Sequence, residues 1–182
     1  MRIIRGLWKS RRLAPPNNLP VRPTTDFAKE AVFNIFDNLI DYEDVEVLDL
    51  FAGTGSISYE FCSREAKKVT AVEMNQQCIN FIKKTIDQLQ ILNLNIVKND
   101  VFSYVKKTSQ KFDVIFADPP YQLPNIAELP DLIFEHQLLN KNGIFVLEHS
   151  NKYHFEKHAM FFDHRNYGSV NFTFFKQPSE EN

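Results

Sequence analysis

The sequence predicts an α/β fold built on a mainly parallel sheet. Short apolar runs of strand length alternate with segments whose apolar residues recur at helical spacing. Residues 45–50 read as a strand that leads directly into a glycine-containing loop over residues 51–56, as in the first unit of many nucleotide-binding sheets. The run Phe112–Ala117 is rich in Val, Ile and Phe and stops at two prolines, which indicates a buried parallel strand.

The composition is that of a globular protein with one hydrophobic core. The chain has 182 residues, of which 43% are hydrophobic and 24% charged. No apolar run approaches the roughly 20 residues that span a bilayer, and the N-terminus lacks the apolar segment of a signal peptide. Cys62 and Cys78 form no CxxC pair, and the histidine spacing matches no common metal site. We therefore expect a cytoplasmic protein that binds no metal.

Residues 1–23 are expected to form a basic extension, and residues 24–182 the main domain. Residues 2–13 alternate loosely between apolar and basic positions, which predicts a β-hairpin, and the proline-rich residues 14–23 predict an extended linker. Clustered Lys and Arg are the electrostatic footprint of nucleic-acid binding, so this extension is predicted to contact phosphates; the alternative is a solvated tail. The cations that precede the first acidic residue are Arg2, Arg5, Lys9, Arg11, Arg12 and Arg22.

A helix is predicted directly after this extension. Thr24, Thr25 and Asp26 are candidate N-caps. A helix N-terminus with an arginine nearby binds anions, which makes Thr24, beside Arg22, a further candidate phosphate contact. The apolar stripe predicted to face the core comprises Phe27, Ala31, Val32, Ile35, Phe36 and Leu39.

The loop after the first strand is a candidate cofactor site, because glycines let the backbone approach a ligand closely. The third glycine of the dinucleotide fingerprint is missing, since Ile57 and Ser58 follow Gly55, and the P-loop lysine is absent too. A nicotinamide dehydrogenase is therefore disfavoured, and a cofactor without a pyrophosphate, such as S-adenosylmethionine, is favoured. Asp49, at the end of the strand, is expected to face the positively charged methionine end of that cofactor.

The next two strands end in further candidate cofactor contacts. Glu73 ends the predicted strand Lys68–Glu73 about 20 residues after the glycine loop, where an acid accepts ribose hydroxyls. Asp100 follows a third strand and either contacts the adenine ring or caps the helix that begins at Val101. The full predicted cofactor-binding set is Asp49, Phe51, Gly53, Gly55, Glu73, Met74, Asp100 and Val101.

The turn Asp118-Pro119-Pro120-Tyr121 is the candidate catalytic site. Proline has no N–H for the ladder, so Asp118 and Tyr121 are expected just beyond the carboxyl end of a strand, where open α/β sheets bind ligands. The Asp118 side chain and the Pro119 carbonyl can accept the two hydrogens of an exocyclic base amine while Tyr121 stacks on the base. The alternative is a strand that ends in an acidic turn, with Tyr121 packed in the core.

The remaining elements are predicted to complete the sheet. In chain order they are helices over residues 75–90, Val101–Lys107 and 131–139, a turn at Asn142-Gly143, a strand over residues 144–148, and an antiparallel hairpin about Tyr167-Gly168 with strands near residues 159–164 and Val170–Lys176.

Several motifs together resemble one enzyme family, the bacterial RsmD-type methyltransferases that act on guanine N2 of 16S rRNA. The motifs that carry the likeness are Arg2-Ile3-Ile4-x-Gly6, Arg22-Pro23-Thr24-Thr25-Asp26, Asp49-Leu50-Phe51-Ala52-Gly53-Thr54-Gly55, Asp118-Pro119-Pro120-Tyr121 and Tyr167-Gly168. One departure is Ser10, where members often carry Gly. The resemblance implies a Rossmann-like sheet of seven strands with the last antiparallel, S-adenosylmethionine as cofactor, and 16S rRNA in the small ribosomal subunit as substrate. A monomer is expected.

Two other functions fit parts of the sequence. The Asp-Pro-Pro-Tyr turn alone fits an adenine-N6 methyltransferase acting on DNA equally well, but the segment between Gly55 and Asp118 holds only two βα units and leaves no room for a target-recognition domain. The other alternative is a non-catalytic RNA-binding assembly factor on the same scaffold. Intact Gly53, Gly55, Glu73 and Asp118 argue against it.

Overall fold

The computed structural model describes residues 1–16, 19 and 25–177. Its strands are β1 (Glu46–Leu50), β2 (Lys68–Glu73), β3 (Leu94–Lys98), β4 (Phe112–Ala117), β5 (Leu139–His149), β6 (Phe161–Tyr167) and β7 (Val170–Lys176). The α-helices are α1 (Asp26–Phe36), α2 (Ser56–Ser63), α3 (Gln76–Leu89), α4 (Val101–Lys107) and α5 (Leu129–Glu135), and two short 3-10 helices cover Tyr42–Asp44 and Ile126–Glu128. No helix in these described ranges is long and apolar enough to cross a membrane.

The seven strands form one sheet in the order β3-β2-β1-β4-β5-β7-β6. Strands β1 to β5 pair in parallel, and β7 runs antiparallel to both of its neighbours, β5 and β6. The hairpin between β6 and β7 turns at Gly168 and Ser169, between Tyr167 and its pairing partner Val170. The predicted mainly parallel sheet with an antiparallel last strand is confirmed.

Helices cover both faces of the sheet, so the central strands are apolar on both sides. Successive side chains of a strand point to opposite faces. Val47 of β1 therefore packs in the core beneath α1, α2 and α3, whereas its neighbour Leu48 packs in the core beneath α4 and α5. Both side chains are fully buried.

The buried face of α1 differs from the predicted stripe. Val32 and Phe36 are buried as predicted, but Ala28 and Phe33 join them, whereas Phe27 is 68% exposed and Leu39 38% exposed. The predicted stripe combined two adjacent rows of the helix surface, and only one of them faces the sheet. Thr25 is confirmed as the N-cap, since its hydroxyl accepts from the Ala28 N–H at 3.2 Å. Thr24 and Arg22 lie outside the described residues.

The predictions for α5 and β5 were wrong at their boundary. The helix ends at Glu135 rather than reaching Leu139, and β5 already begins at Leu139. Asn142 and Gly143 lie within β5, where the pairing with β4 shifts register between Phe112 and Val114. The turn-forming residues are thus accommodated as an irregularity of the strand. Strand β6 also starts two residues later than predicted, at Phe161.

The N-terminal residues 1–13, called the basic loop below, form a short two-armed hairpin. The Ile3 N–H donates to the Arg11 carbonyl at 3.0 Å, and the Ser10 N–H donates to the Ile3 carbonyl at 2.8 Å. Only one isolated bridge, between Arg2 and Arg12, is formed, so the arms are too short to count as strands. Ser10 lies in the left-handed region with φ +65°, a conformation that glycine adopts without steric cost.

Candidate active site

Strands β1 and β4 are neighbours in the sheet, which places the glycine loop beside the Asp-Pro-Pro-Tyr turn. Leu50 at the end of β1 pairs with Ala117 at the end of β4, so both loops leave the sheet at the same level. From β1 the chain continues to β2 and β3 on one side of the sheet, and from β4 it continues to β5 on the other. This is the topological switch point at which open α/β sheets bind ligands.

Asp49 is a buried carboxylate at this switch point. Its side chain accepts hydrogen bonds from the Ser58 N–H at 3.0 Å and from the Ser58 hydroxyl at 2.5 Å. Burial raises the pKa of Asp49 to about 7; the two Ser58 hydrogen bonds oppose this rise, and the charges of Asp118 and Glu73 add to it. A group this costly to ionise suits a ligand that brings a positive charge.

Glu73 is held between the glycine loop and the start of α3. One carboxylate oxygen accepts from the Gly53 N–H at 2.8 Å and the other from the Asn75 N–H at 2.7 Å. These two backbone donors fix the orientation of the side chain at the end of β2. The remaining lone pairs can accept the two hydroxyls of a ribose.

The glycine loop needs unusual backbone conformations. Gly55 has φ +81°, and a Cβ there would lie 2.7 Å from the Tyr59 ring, so only glycine fits. Phe51 has φ +61°, which is uncommon for a bulky residue and is typical of functional loops. The loop contains no basic residue; Glu73 accepts from its Gly53 N–H, and the charges of Glu73 and Asp118 act on Asp49 at the end of β1. This set of side chains fits a cationic, phosphate-free cofactor.

The other predicted cofactor contacts flank this loop. Met74 follows Glu73 and is 67% exposed, whereas Val101 is buried at the start of α4. Asp100 is exposed, and its side chain accepts from the Ser103 N–H at 2.9 Å. The cap interpretation of Asp100 is therefore confirmed, and its contact with an adenine ring stays a prediction.

The Asp-Pro-Pro-Tyr turn presents its aromatic ring to the outside. Asp118 is half-buried, Pro119 is buried and Pro120 is exposed. The Leu123 N–H donates to the Pro120 carbonyl at 2.9 Å, which closes the turn. Tyr121 is 41% exposed, and this excludes the alternative in which its ring is packed in the core.

The predicted RNA-contacting cations fall into two groups. Arg2 pairs with Asp26 at 3.6 Å and Arg5 pairs with Asp37 at 2.6 Å, both at the surface. The other three predicted contacts in the basic loop are exposed and form no ion pair with another described residue: Lys9, Arg11 and Arg12. This second group has its charge available for a ligand.

Sequence reasoning missed the buried polar contacts of α2. Ser58 holds Asp49, and Glu60 is fully buried beside Lys29, whose side chain is 1% exposed. Their helical spacing gives no hint of burial, because charged residues in amphipathic helices ordinarily face solvent. Only tertiary contacts reveal these roles.

The topology and the acidic switch point together define the fold of S-adenosylmethionine-dependent methyltransferases. The solved structure of yhhF from Escherichia coli has a TM-score of 0.86 at 26% identity and covers 99% of each chain. A T. thermophilus 16S rRNA N2 methyltransferase solved with AdoMet and guanosine has a TM-score of 0.70 at 18% identity, over 88% of this chain and 45% of that one. At that identity the likeness shows the fold alone.

Within this class the chain belongs to the RsmD-type family. The family model described as conserved hypothetical protein 95 matches residues 1–176. Ribosomal RNA small subunit methyltransferase D of Haemophilus influenzae is 34% identical over 152 residues, which are 81% of this chain and 78% of that relative. The predicted family and fold class are thus confirmed.

The raised pKa of Asp49 predicts how the stability of the cofactor-free protein depends on pH. The folded pKa of about 7 exceeds the unfolded value of about 3.9, so the unfolded chain ionises first and stability falls as pH rises between these values. The Asp49→Asn variant cannot ionise at this position. Its free energy of unfolding should therefore increase relative to that of the wild type as pH rises across this window, by at most about 1.4 kcal/mol per pH unit. Urea unfolding of both proteins at pH 5 and pH 8 measures the two free energies. The same difference between variant and wild type at both pH values would contradict the prediction.

Proposed function

We propose that this protein transfers a methyl group from S-adenosylmethionine to the exocyclic N2 amine of a guanine in 16S rRNA. The substrate is the assembled small ribosomal subunit in the cytoplasm. One observation carries the proposal: the Asp-Pro-Pro-Tyr turn and the carboxylate-lined glycine loop leave adjacent strands at the switch point. The relatives named ribosomal RNA small subunit methyltransferase D support rRNA as the substrate class.

The methyl donor is S-adenosylmethionine, which supplies a methyl group on a positively charged sulfur. Asp49 would face its cationic methionine end, and Glu73 would accept from its ribose hydroxyls. The loop residues Phe51, Gly53 and Gly55 would approach it through their backbone. Met74, Asp100 and Val101 would flank the adenine.

The Asp-Pro-Pro-Tyr turn holds the acceptor base. An exocyclic amine is a poor nucleophile because its lone pair is delocalised into the ring, so the turn must orient it. Asp118 and the Pro119 carbonyl accept its two N–H hydrogens, Pro120 stiffens the turn, and Tyr121 stacks on the flipped base. Bound S-adenosylmethionine would supply the methyl group and leave as S-adenosylhomocysteine; the proton released by N2 would pass to the Asp118 carboxylate or, if Asp118 only orients the amine, to water. Alignment contributes most of the rate, on the order of 7–11 kcal/mol.

The N-terminal extension, residues 1–23, binds the rRNA for a catalytic domain over residues 24–182. Its cations contact phosphates and make binding sensitive to salt. The protein acts as a monomer. The predicted contacts are Arg2, Arg5, Lys9, Arg11, Arg12, Arg22 and Thr24.

The choice of substrate tests this proposal. We would offer radiolabelled S-adenosylmethionine with undermethylated small subunits, naked 16S rRNA or duplex DNA, after confirming cofactor binding by calorimetry. We expect label in the assembled subunits. Label in duplex DNA but not in rRNA would instead support an adenine-N6 DNA methyltransferase, and failure to bind the cofactor would support a non-catalytic assembly factor.

A further inference from the structure

We propose a second RNA-contact site at the end of the sheet where the parallel strands begin, opposite the end that carries the Asp-Pro-Pro-Tyr turn. It is the pocket between the tip of the basic loop and the last turn of α3, and it takes an RNA segment that is not contiguous with the target guanine. The inference rests on the proposed function, because it assigns a further contact to the same RNA substrate.

The basic loop runs along the whole length of α2, away from the cofactor edge. At the start of α2, the Lys29 amine donates to the Ser56 hydroxyl at 3.2 Å and to the Arg2 carbonyl at 2.6 Å. At the end of α2, the Leu7 N–H donates to the Ser63 carbonyl at 2.7 Å. A helix of 8 residues is about 12 Å long. The tip of the basic loop therefore lies at the end of the sheet opposite the glycine loop.

A pocket of about 360 Å³ opens where this tip meets α3. Its size lies within the range of roughly 300–1,000 Å³ typical of ligand pockets. Lys9 and Arg11 supply positive charge, Gln88 and Gln90 supply amide groups, and the partly buried Trp8 supplies an aromatic ring. Among the described residues, none that lines the pocket is acidic. Cations for phosphates, amides for base edges and an aromatic ring are the groups that bind unpaired RNA.

The pocket is held in place by buried contacts rather than by surface side chains. Gly6 has φ +84°, and a Cβ there would overlap the Ser63 carbonyl oxygen, so the loop lies directly against α2. The fully buried Glu60 accepts from the Ile4 N–H at 2.8 Å and from the Arg5 N–H at 3.0 Å. A preformed pocket loses less conformational entropy when it binds its ligand.

Gln88→Glu tests the site, because it places a carboxylate in the pocket at an exposed position of α3. We expect the Kd for undermethylated small subunits to rise about 3- to 10-fold, and the difference to shrink as salt is raised. Affinity for S-adenosylmethionine and kcat at saturating subunit should stay unchanged. Lys9→Gln should weaken binding in the same way and lower the salt slope by about one.

Gln110→Glu is the matched control. It makes the same chemical change at an exposed position after α4, on the opposite face of the sheet. Equal subunit binding by the Gln88→Glu and Gln110→Glu variants would overturn the second site, and so would a wild type that binds no subunits. The proposed function is tested by a separate measurement, the labelling assay, and fails if the wild-type protein puts no label into the rRNA. Weaker binding by Gln88→Glu alone supports the site in either case.

Discussion

Asp118→Ala is expected to lower methyl transfer by about 10²- to 10⁴-fold, the range associated with a positioned carboxylate in the transition state. The acceptor amine then loses the group that orients it, while Asp49, Glu73 and the glycine loop keep their contacts. The charge of Asp118 raises the pKa of Asp49, so its removal should leave cofactor affinity unchanged or slightly higher. Single-turnover transfer and calorimetric titration of the cofactor measure the two quantities separately.

Asp41→Ala is the control for this experiment, because Asp41 is exposed and its side chain makes no capping hydrogen bond. It should transfer methyl groups like the wild type. Asp118→Asn keeps an acceptor oxygen but loses the charge. If Asp118→Asn keeps activity and Asp118→Ala loses it, orienting the acceptor amine is sufficient for methyl transfer and the charge of Asp118 is not needed. Wild-type turnover by Asp118→Ala would show that the Asp-Pro-Pro-Tyr turn is not part of the catalytic site.

Glu60→Ala is expected to lower the free energy of unfolding by about 3–5 kcal/mol, as is usual when one partner of a buried ion pair is removed. Its carboxylate lies 3.7 Å from the Lys29 amine and 3.3 Å from the Arg64 guanidinium. It also accepts the N–H groups of Ile4 and Arg5. The substitution leaves the Ile4 and Arg5 N–H groups without this acceptor, and the two cations keep only their other partners, which include the Arg2 carbonyl and Asp37. Burial already lowers the pKa of Lys29, and loss of Glu60 should lower it further.

Urea unfolding with Glu30→Ala as the control checks this value. Glu30 is exposed on α1, and its removal should change stability by no more than about 0.5 kcal/mol. Lys29→Met should lower the free energy of unfolding less in the Glu60→Ala variant than in the wild type, because the two side chains interact. Equal effects of Glu60→Ala and Glu30→Ala would contradict the role assigned to this network.

The sequence was sufficient where local chemistry determines the structure. Strand β2 and helix α4 have the predicted bounds, because the apolar run of β2 and the cap at Asp100 are both local signals. The buried face of α1 was not determined in this way. Phe27 and Phe33 are equally apolar, and only the position of the sheet decides that Phe33 is buried and Phe27 exposed.

The same distinction holds for the site. Asp118 and Glu73 were identified because each follows an apolar strand, and strand ends meet at one edge of a parallel sheet. The hydrogen bonds from Ser58 to Asp49 and from Gly53 to Glu73 depend on how α2 and the loop fold back. The buried position of Glu60 depends on the basic loop, more than 50 residues away in sequence. No local pattern carries that information.

The most direct test of the central claim is to identify the methylated nucleoside. Undermethylated small subunits are incubated with tritiated S-adenosylmethionine and the protein, and the 16S rRNA is digested to nucleosides. We predict label in N2-methylguanosine, and at least about 10²-fold slower labelling when Asp118→Ala replaces the wild type. Label in N6-methyladenosine would keep the fold and cofactor but contradict the assigned acceptor amine.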